Sequence, residues 1–500
     1  MRRHQKKTQT ERSRAILWSV VFGLIFILGV SLATVCGWYR LTFDLEFKEL
    51  LYTLASPLKG TGQSTVSQIL QACLPVVLVF TAVYVAVAVL LWKKRETLPW
   101  ARRVGALLCV VVLLASSVFS VFALRLPAYV KALNDQTTIY EDYYIDPEAV
   151  VITADGETKN LIYIYLESME TTYASEAVGG SQYYNFIPQL TALAEENLSF
   201  SDKADGQLGG FHTPLGTGWT MSALLATTSG IPFSFPLGEN GHNKMSQREY
   251  FASGLTTLGD ILAEKGYRQE FLCGSDSSFA GRDTYFEQHG NYEIFDLDTA
   301  IEEHYMTESE KVWWGFTDEL LYEIAKDELT ELASGPRPFN LTMLTVDTHH
   351  VNGYFCDLCH HTYGNKLANV VCCADRQLAS FIDWCREQDF YEDTVIVITG
   401  DHPRMDTTLV AEADYYDRTI YNCFINAVPT PAGKTTERLF TSFDLFPTTL
   451  AAMGFAIEGD RLGLGVNMFS AQPTLAETLG YDYLEIEINK FSDYYIREFS

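Results

Sequence analysis

The sequence predicts an α/β domain with a mostly parallel central sheet, carried behind three membrane-crossing helices. Three observations lead there. Three apolar runs before residue 125 are each long enough to cross a bilayer, which takes about 20 helical residues. Beyond residue 160, short apolar runs alternate with longer amphipathic segments. Three of those short runs end in Glu167, in Asp347-Thr348-His349-His350 and in Asp401-His402, the side chains of metal-assisted chemistry.

Charge separates the front of the chain from the rest. Fifteen Lys/Arg and 5 Asp/Glu stand in residues 1–125, leaving 21 and 58 for the remainder, so the front is near +10 and the rest near −37. A body this acidic repels phosphate backbones, and nucleic acid is excluded as a partner. With 47% hydrophobic and 13% aromatic residues the chain has ample material for a packed core, which excludes disordered, collagen-like and low-complexity classes.

The apolar runs cover residues 15–38, 69–92 and 104–124 and lack a polar face, so they read as spans rather than as helices of a soluble core. The first is too long for a cleaved signal and reads as an anchor. Arg2, Arg3, Lys6, Lys7, Arg12 and Arg14 precede it, and Lys93, Lys94, Arg95, Arg102 and Arg103 fill the loop between the second and third spans. The loop between the first and second is poorer in cations and carries Asp44, Glu46 and Glu49. Positive residues stay inside, so the expected topology is a multi-pass cell-membrane protein with a cytoplasmic N-terminus. The expected organisation is a membrane domain at 1–125, a connector at 126–159 and an extracytoplasmic catalytic domain at 160–500.

Within that domain, 161–166, 340–346 and 394–399 are largely apolar runs, as expected for strands covered on both faces. Segments 187–196, 255–265 and 374–387 have helical spacing. Strands alternating with helices imply a parallel sheet, whose ligands gather at the carboxyl ends of the strands. Seven cysteines fall on the exterior side, among them Cys356, Cys359, Cys372 and Cys373. A zinc knuckle normally repeats Cys-x-x-Cys in its second half. Outside the cytosol the expectation is therefore two disulfides in one surface loop, Cys372 and Cys373 each reaching back to Cys356 or Cys359.

An acidic residue closing one strand is ordinarily a turn or a cap; three such strand ends at one sheet edge are a site. Glu167, Asp401 and His402 offer two hard oxygens and an imidazole, suited to Mn²⁺, Mg²⁺ or Zn²⁺. Thr220 stands where a helix begins after Gly216 and Gly218. There it is either an N-cap or a further ligand beside N–H groups that attract a phosphoryl group.

Several segments together resemble a known family: Leu161-Ile-Tyr-Ile-Tyr-Leu-Glu167-Ser168, Gly216-Thr-Gly-Trp219-Thr220-Met221, Ser229-Gly-Ile-Pro232, Phe279-Ala-Gly-Arg282-Asp283, Leu344-Thr-Val-Asp-Thr-His349-His350, Val395-Ile-Val-Ile-Thr-Gly-Asp401-His402 and Phe443-Asp-Leu-Phe-Pro447-Thr448. The likeness also touches the segment 54–60. They resemble the phosphoglycerol transferase and lipoteichoic acid synthase family, a sulfatase-like branch of the alkaline phosphatase superfamily. The resemblance implies a sulfatase-like α/β sandwich and one divalent cation, Mn²⁺ foremost, on Glu167, Thr220, Asp401 and His402. It makes Thr220 the nucleophile and gives the phosphoglycerol group to Arg282 and His349, with His350, Trp219 and Asp276 beside them. Ala280 stands where family members carry a tryptophan near the arginine. The implied activity moves glycerol phosphate from phosphatidylglycerol to an envelope glycan or glycolipid.

The alternatives are a phosphoethanolamine transferase, a sulfatase or phosphatase using water, and a non-catalytic glycan-binding protein. A formylglycine sulfatase needs Cys/Ser-x-Pro-x-Arg. The only Cys-x-Pro is Cys73-Leu74-Pro75, inside a span and without the arginine.

Overall fold

The computed structural model describes residues 2–43, 47, 50–51, 63–94, 100–154, 156, 158–234, 250–349, 352–406, 408–411, 413 and 418–499. Its contacts divide the chain into two units, one formed by Met1–Phe47 with Gly62–Lys131, the other having Ala132–Ser500 as its main segment. The segment 54–60 and His350 lie outside the described residues.

The first unit contains three long helices, α1 (Arg2–Thr42), α2 (Gln63–Lys93) and α3 (Ala101–Ala123). Each is long and apolar enough to cross a membrane, over Ile16–Thr42, Ser67–Lys93 and Arg103–Ala123, in agreement with the sequence. Bare apolar helices gain little hydrophobic energy from one another in lipid, so close approach and polar contacts hold them. The Tyr84 hydroxyl of α2 donates to the Ser19 carbonyl of α1 at 2.7 Å. A Cβ on Gly29 of α1 would stand 2.9 Å from Leu113 Cα of α3, so glycine is what permits that crossing.

The second unit is built on a six-stranded sheet: β1 (Asn160–Leu166), β2 (Arg268–Cys273), β3 (Glu293–Phe295), β4 (Phe339–Leu344), β5 (Thr394–Gly400) and β6 (Asn422–Ile425). Their order across the sheet is β3-β2-β4-β1-β5-β6, parallel throughout except for β6. The central strand explains its own sequence. Leu161, Tyr163 and Tyr165 enter one hydrophobic cluster and Ile162, Ile164 and Leu166 the other, on opposite faces. Both faces are covered, so the run is apolar without alternation.

Helices clothe the sheet: α4 (Pro188–Glu196), α5 (Thr220–Ser229), α6 (Leu258–Glu264), α7 (Arg282–Gln288), α8 (Asp318–Ser334), α9 (Lys366–Arg386) and α10 (Leu445–Ala452). The α/β fold with a mostly parallel central sheet, following apolar N-terminal helices, is the class that the sequence predicts.

Within the expected connector 126–159, Ile152–Ala154 pairs antiparallel with Phe455–Ile457, and Thr137 N–H donates to the Phe491 carbonyl at 3.0 Å. One local expectation changes. Helix α9 begins eight residues earlier than its spacing suggested, because Asn365 caps it, accepting from Leu367 N–H at 2.8 Å. Cys372 and Cys373 therefore lie in a helix rather than a surface loop.

Candidate active site

Register delivers the site. Tyr165 of β1 is level with Leu344 of β4 and Thr399 of β5, so the chain leaves three neighbouring strands at one edge. Glu167-Ser168, Thr345 to His349 and Asp401-His402 follow there within a few residues. This sheet topology places the three sequence-predicted strand ends together.

Four of the predicted ligands converge. Thr220 Oγ1 lies 3.2 Å from Glu167 Oε2 and 3.3 Å from His402 Nε2. His402 Nε2 is 3.6 Å from Glu167 Oε1 and 3.3 Å from Asp401 Oδ2. Glu167, Asp401 and His402 are buried, with one ligand atom of each within 4.8 Å of the others. Thr220 opens α5 at its first position. A β-carbon on Gly216, at φ +83°, would stand 2.8 Å from the Phe233 carbonyl, so this approach to the helix requires glycine.

This set fits a divalent cation. Asp401 Oδ2 is buried and accepts no hydrogen bond among the described residues, an expensive state for a carboxylate oxygen unless a cation faces it. Burial and the facing Glu167 carboxylate push Asp401 up to about 7. Burial also opposes ionisation of Glu167, but the His349 and His402 imidazoles and the Ser168 and Thr220 hydroxyls outweigh it and hold Glu167 below the usual carboxylate range. The His402 Nδ1 lies 2.8 Å from the Pro403 carbonyl. A carbonyl only accepts, so Nδ1 carries the proton and Nε2 presents its lone pair to the cluster.

A supporting layer was not read from the sequence. Ser168 Oγ donates to Glu167 Oε1 at 2.7 Å, Thr345 Oγ1 accepts from Glu167 N–H at 3.0 Å, and Thr348 Oγ1 donates to the Glu167 carbonyl at 2.5 Å. Beneath the site, Arg404 donates to Asp406 Oδ1 and Oδ2 at 2.9 and 2.6 Å and to the Thr348 carbonyl at 2.8 Å. Glu170 accepts from Arg418 at 2.9 and 2.7 Å and from Arg404 N–H at 2.9 Å. All of these charges are buried. Only the position of Arg404, two residues after His402, hinted at the network.

Among the described head-group residues, a chain of aromatic rings runs from His349, beside Glu167, to Arg282. His349 is near enough to Glu167 to help hold that carboxyl below its usual range, and its ring lies 4.7 Å from that of Trp314, a residue the sequence reading missed. Trp314 is 5.7 Å from Phe279, which lies 5.8 Å below the Arg282 guanidinium. Arg282 follows β2 and is anchored by Nη2 to the Asp276 carbonyl at 2.7 Å and to Ser275 Oγ at 3.0 Å. Its Nε donates to the Phe279 carbonyl at 3.1 Å, and Nη1 has no hydrogen-bond partner among the described residues. Asp276 thus holds Arg282 by its main chain, while its carboxylate closes a turn onto Ser278 N–H at 3.0 Å. The Trp219 ring packs edge-on against Phe233 at 5.2 Å.

The expected disulfides are not formed among the described cysteines. Cys356 Sγ is 3.5 Å from Cys359 Sγ and 3.7 Å from Cys373 Sγ, and Cys372 stands apart from the group.

Residues 159–455 match the sulfatase family. The chain is 30% identical over 467 residues to phosphoglycerol transferase I of Shigella flexneri, covering 90% of this chain and 56% of that protein; the Escherichia coli SMS-3-5 protein of the same name gives the same figures. The chain therefore spans little more than half the length of these curated relatives. Among solved structures, it is similar to the lipoteichoic acid synthase LtaP from Listeria monocytogenes, with TM-score 0.49 and 19% identity over 64% of this chain and 79% of that one. It is also similar to the phosphoethanolamine transferase EptA from Neisseria meningitidis, with TM-score 0.46 and 16% identity over 88% and 84%. The chain belongs to the sulfatase family.

Proposed function

We propose that this protein is a membrane-bound phosphotransferase that takes glycerol phosphate from phosphatidylglycerol, holds it on Thr220 and passes it to a hydroxyl of an envelope glycan or glycolipid. The observation that carries this reading is the Thr220 hydroxyl, 3.2 Å from Glu167 and 3.3 Å from His402 at the first turn of a helix. The relatives named phosphoglycerol transferase I favour this head group.

Glu167, Thr220, Asp401 and His402 would hold one divalent cation, Mn²⁺ foremost. When bound it supplies a Lewis acid that lowers the pKa of the threonine hydroxyl and neutralises charge on the phosphoryl oxygens. Thr220 Oγ attacks phosphorus, the bond from phosphorus to the diacylglycerol oxygen breaks, and that oxygen takes up a proton. His349, at the adjacent strand end, returns the proton given up by Thr220. Arg282, tethered through Nε and Nη2, directs Nη1 at the phosphoryl oxygens. The N–H groups opening α5 add positive potential at the same place. In the second half the acceptor hydroxyl displaces Thr220 and donor and acceptor never meet.

The three membrane-capable helices suit a lipid donor, because tethering raises the effective concentration of site and head group together. The proposed topology keeps the N-terminus in the cytoplasm and the α/β unit outside. Full-length protein in vesicles containing phosphatidylglycerol labelled in its head group, given Mn²⁺ and a glucan, is expected to release diacylglycerol and label the glucan. Label appearing only as free glycerol phosphate would replace the transferase by a hydrolase. No diacylglycerol at all would remove the donor.

A further inference from the structure

We propose that Cys356, Cys359 and Cys373 form a structural zinc site, separate from the Glu167 cluster, that fastens the segment after His349 to helix α9. The three sulfurs lie within 4.8 Å of one another and are buried. Four ligands placed tetrahedrally around zinc at about 2.3 Å are separated by about 3.8 Å. The observed Sγ separations of 3.5 and 3.7 Å fit that spacing, whereas a disulfide holds its sulfurs at about 2.0 Å.

The local chemistry agrees. Thiols left together among apolar side chains are poorly satisfied, and Val370, Tyr354 and Phe355 pack around them. Gln377, one turn beyond Cys373 in α9, donates from Nε2 to Cys373 Sγ at 3.5 Å, the kind of contact that steadies a thiolate ligand. Its Oε1 is buried without a partner. The alternative amide orientation, which exchanges atoms of nearly equal size, would instead present Oε1 at 3.5 Å from Cys373 Sγ and 4.0 Å from Cys356 Sγ as a fourth ligand. A cleft of about 300 Å³ opens beside Cys356, bordered by Glu319 and Asp357, and offers a cation an acidic route in.

The site would fix a segment close to the chemistry. Gly353 N–H donates to the His349 carbonyl at 3.1 Å, Tyr354 N–H to the Asp347 carbonyl at 2.7 Å, and Lys366 Nζ to the Gly353 carbonyl at 2.8 Å. Zinc would join the same segment to α9 through side chains. Binding releases the thiol protons and protects sulfurs that would otherwise oxidise on the exported side of a membrane.

The test uses Co²⁺ alone, added to full-length protein stripped of metal in detergent. A thiolate-to-cobalt charge-transfer band in the near ultraviolet is expected, and the oxygen and nitrogen donors of the Glu167 cluster cannot produce it. Failure of the proposed transferase activity would leave this readout untouched. Cys359→Ser and Cys373→Ser should each weaken cobalt binding at this site more than about 100-fold, while Cys372→Ser should keep the band. The wild-type spectrum decides the matter even if a variant fails to fold. No thiolate band on the wild-type protein, or recovery of a Cys356 disulfide from native membranes, would overturn the site.

Discussion

Ser168 donates its main-chain N–H to Asp401 Oδ1 at 2.7 Å from a left-handed backbone, φ +53°. A non-glycine residue holds that conformation at a cost, and here the turn aims Ser168 at both carboxylates, since Oγ also donates to Glu167. Ser168→Ala keeps the main-chain bond and loses the hydroxyl. Metal affinity is expected to fall about 10-fold to 100-fold with the fold intact, read by Mn²⁺ titration; an unchanged affinity would make the hydroxyl incidental.

Asp401→Ala removes a ligand rather than its support. Its loss should exceed the range for supporting residues, so weakening well beyond about 100-fold is expected. Metal content of the purified variant checks it, and parental occupancy would refute the assignment.

Thr220→Ala should retain the fold and bind metal more weakly, yet release no diacylglycerol and accumulate no phosphoglycerol adduct in mass spectra. Thr220→Ser, which preserves a hydroxyl at the helix start, should restore part of the adduct. Turnover by the alanine variant at the parental rate would mean that the acceptor attacks phosphorus directly.

Glu270 supplies a pH signature far from the chemistry. It is buried in β2 with Oε1 unpartnered, and burial, then the neighbouring Glu328 carboxylate, pushes it up to about 9. Unfolded Glu titrates near about 4.3, so between those values the folded protein retains a proton that the unfolded chain releases. Stability from this group is complete below about pH 4.3 and declines by about 1.4 kcal/mol per pH unit until the folded value is passed. Glu270→Gln should therefore raise the unfolding temperature at pH 8 and change it little at pH 4. An equal shift at both would deny the carboxyl this role.

Glu170 joins Arg418 and Arg404 in a buried network below the site. Glu170→Ala strands the buried Arg418 guanidinium and the Arg404 main-chain N–H and should cost about 3–5 kcal/mol, measured by denaturant unfolding. A loss under about 1 kcal/mol would show that water replaces the carboxylate.

Much of the site was legible because strand ends advertise themselves. The runs 161–166 and 395–398 are apolar without interruption, as a strand buried on both faces demands, and Glu167 and Asp401 follow within a few residues, at the sheet's edge. Helix spacing was less informative at α9. Its first two turns contain Cys372 and Cys373, which read as cross-links in a loop until the Asn365 cap is seen.

By itself the sequence determined the three membrane-capable helices and the α/β class and pointed to Glu167, Asp401 and His402 at strand ends, with Thr220 either capping a helix or joining them, because length, apolar continuity and residue chemistry are local properties. Tertiary structure alone decided which neighbours make that set usable. Thr345, Thr348 and Trp314 carry no signal along the chain, and the partners they meet are distant in sequence. It also separated Cys373 from Cys372. Consecutive helical residues point about 100° apart, so one turns in toward Cys356 and Cys359 while the other is left outside the group.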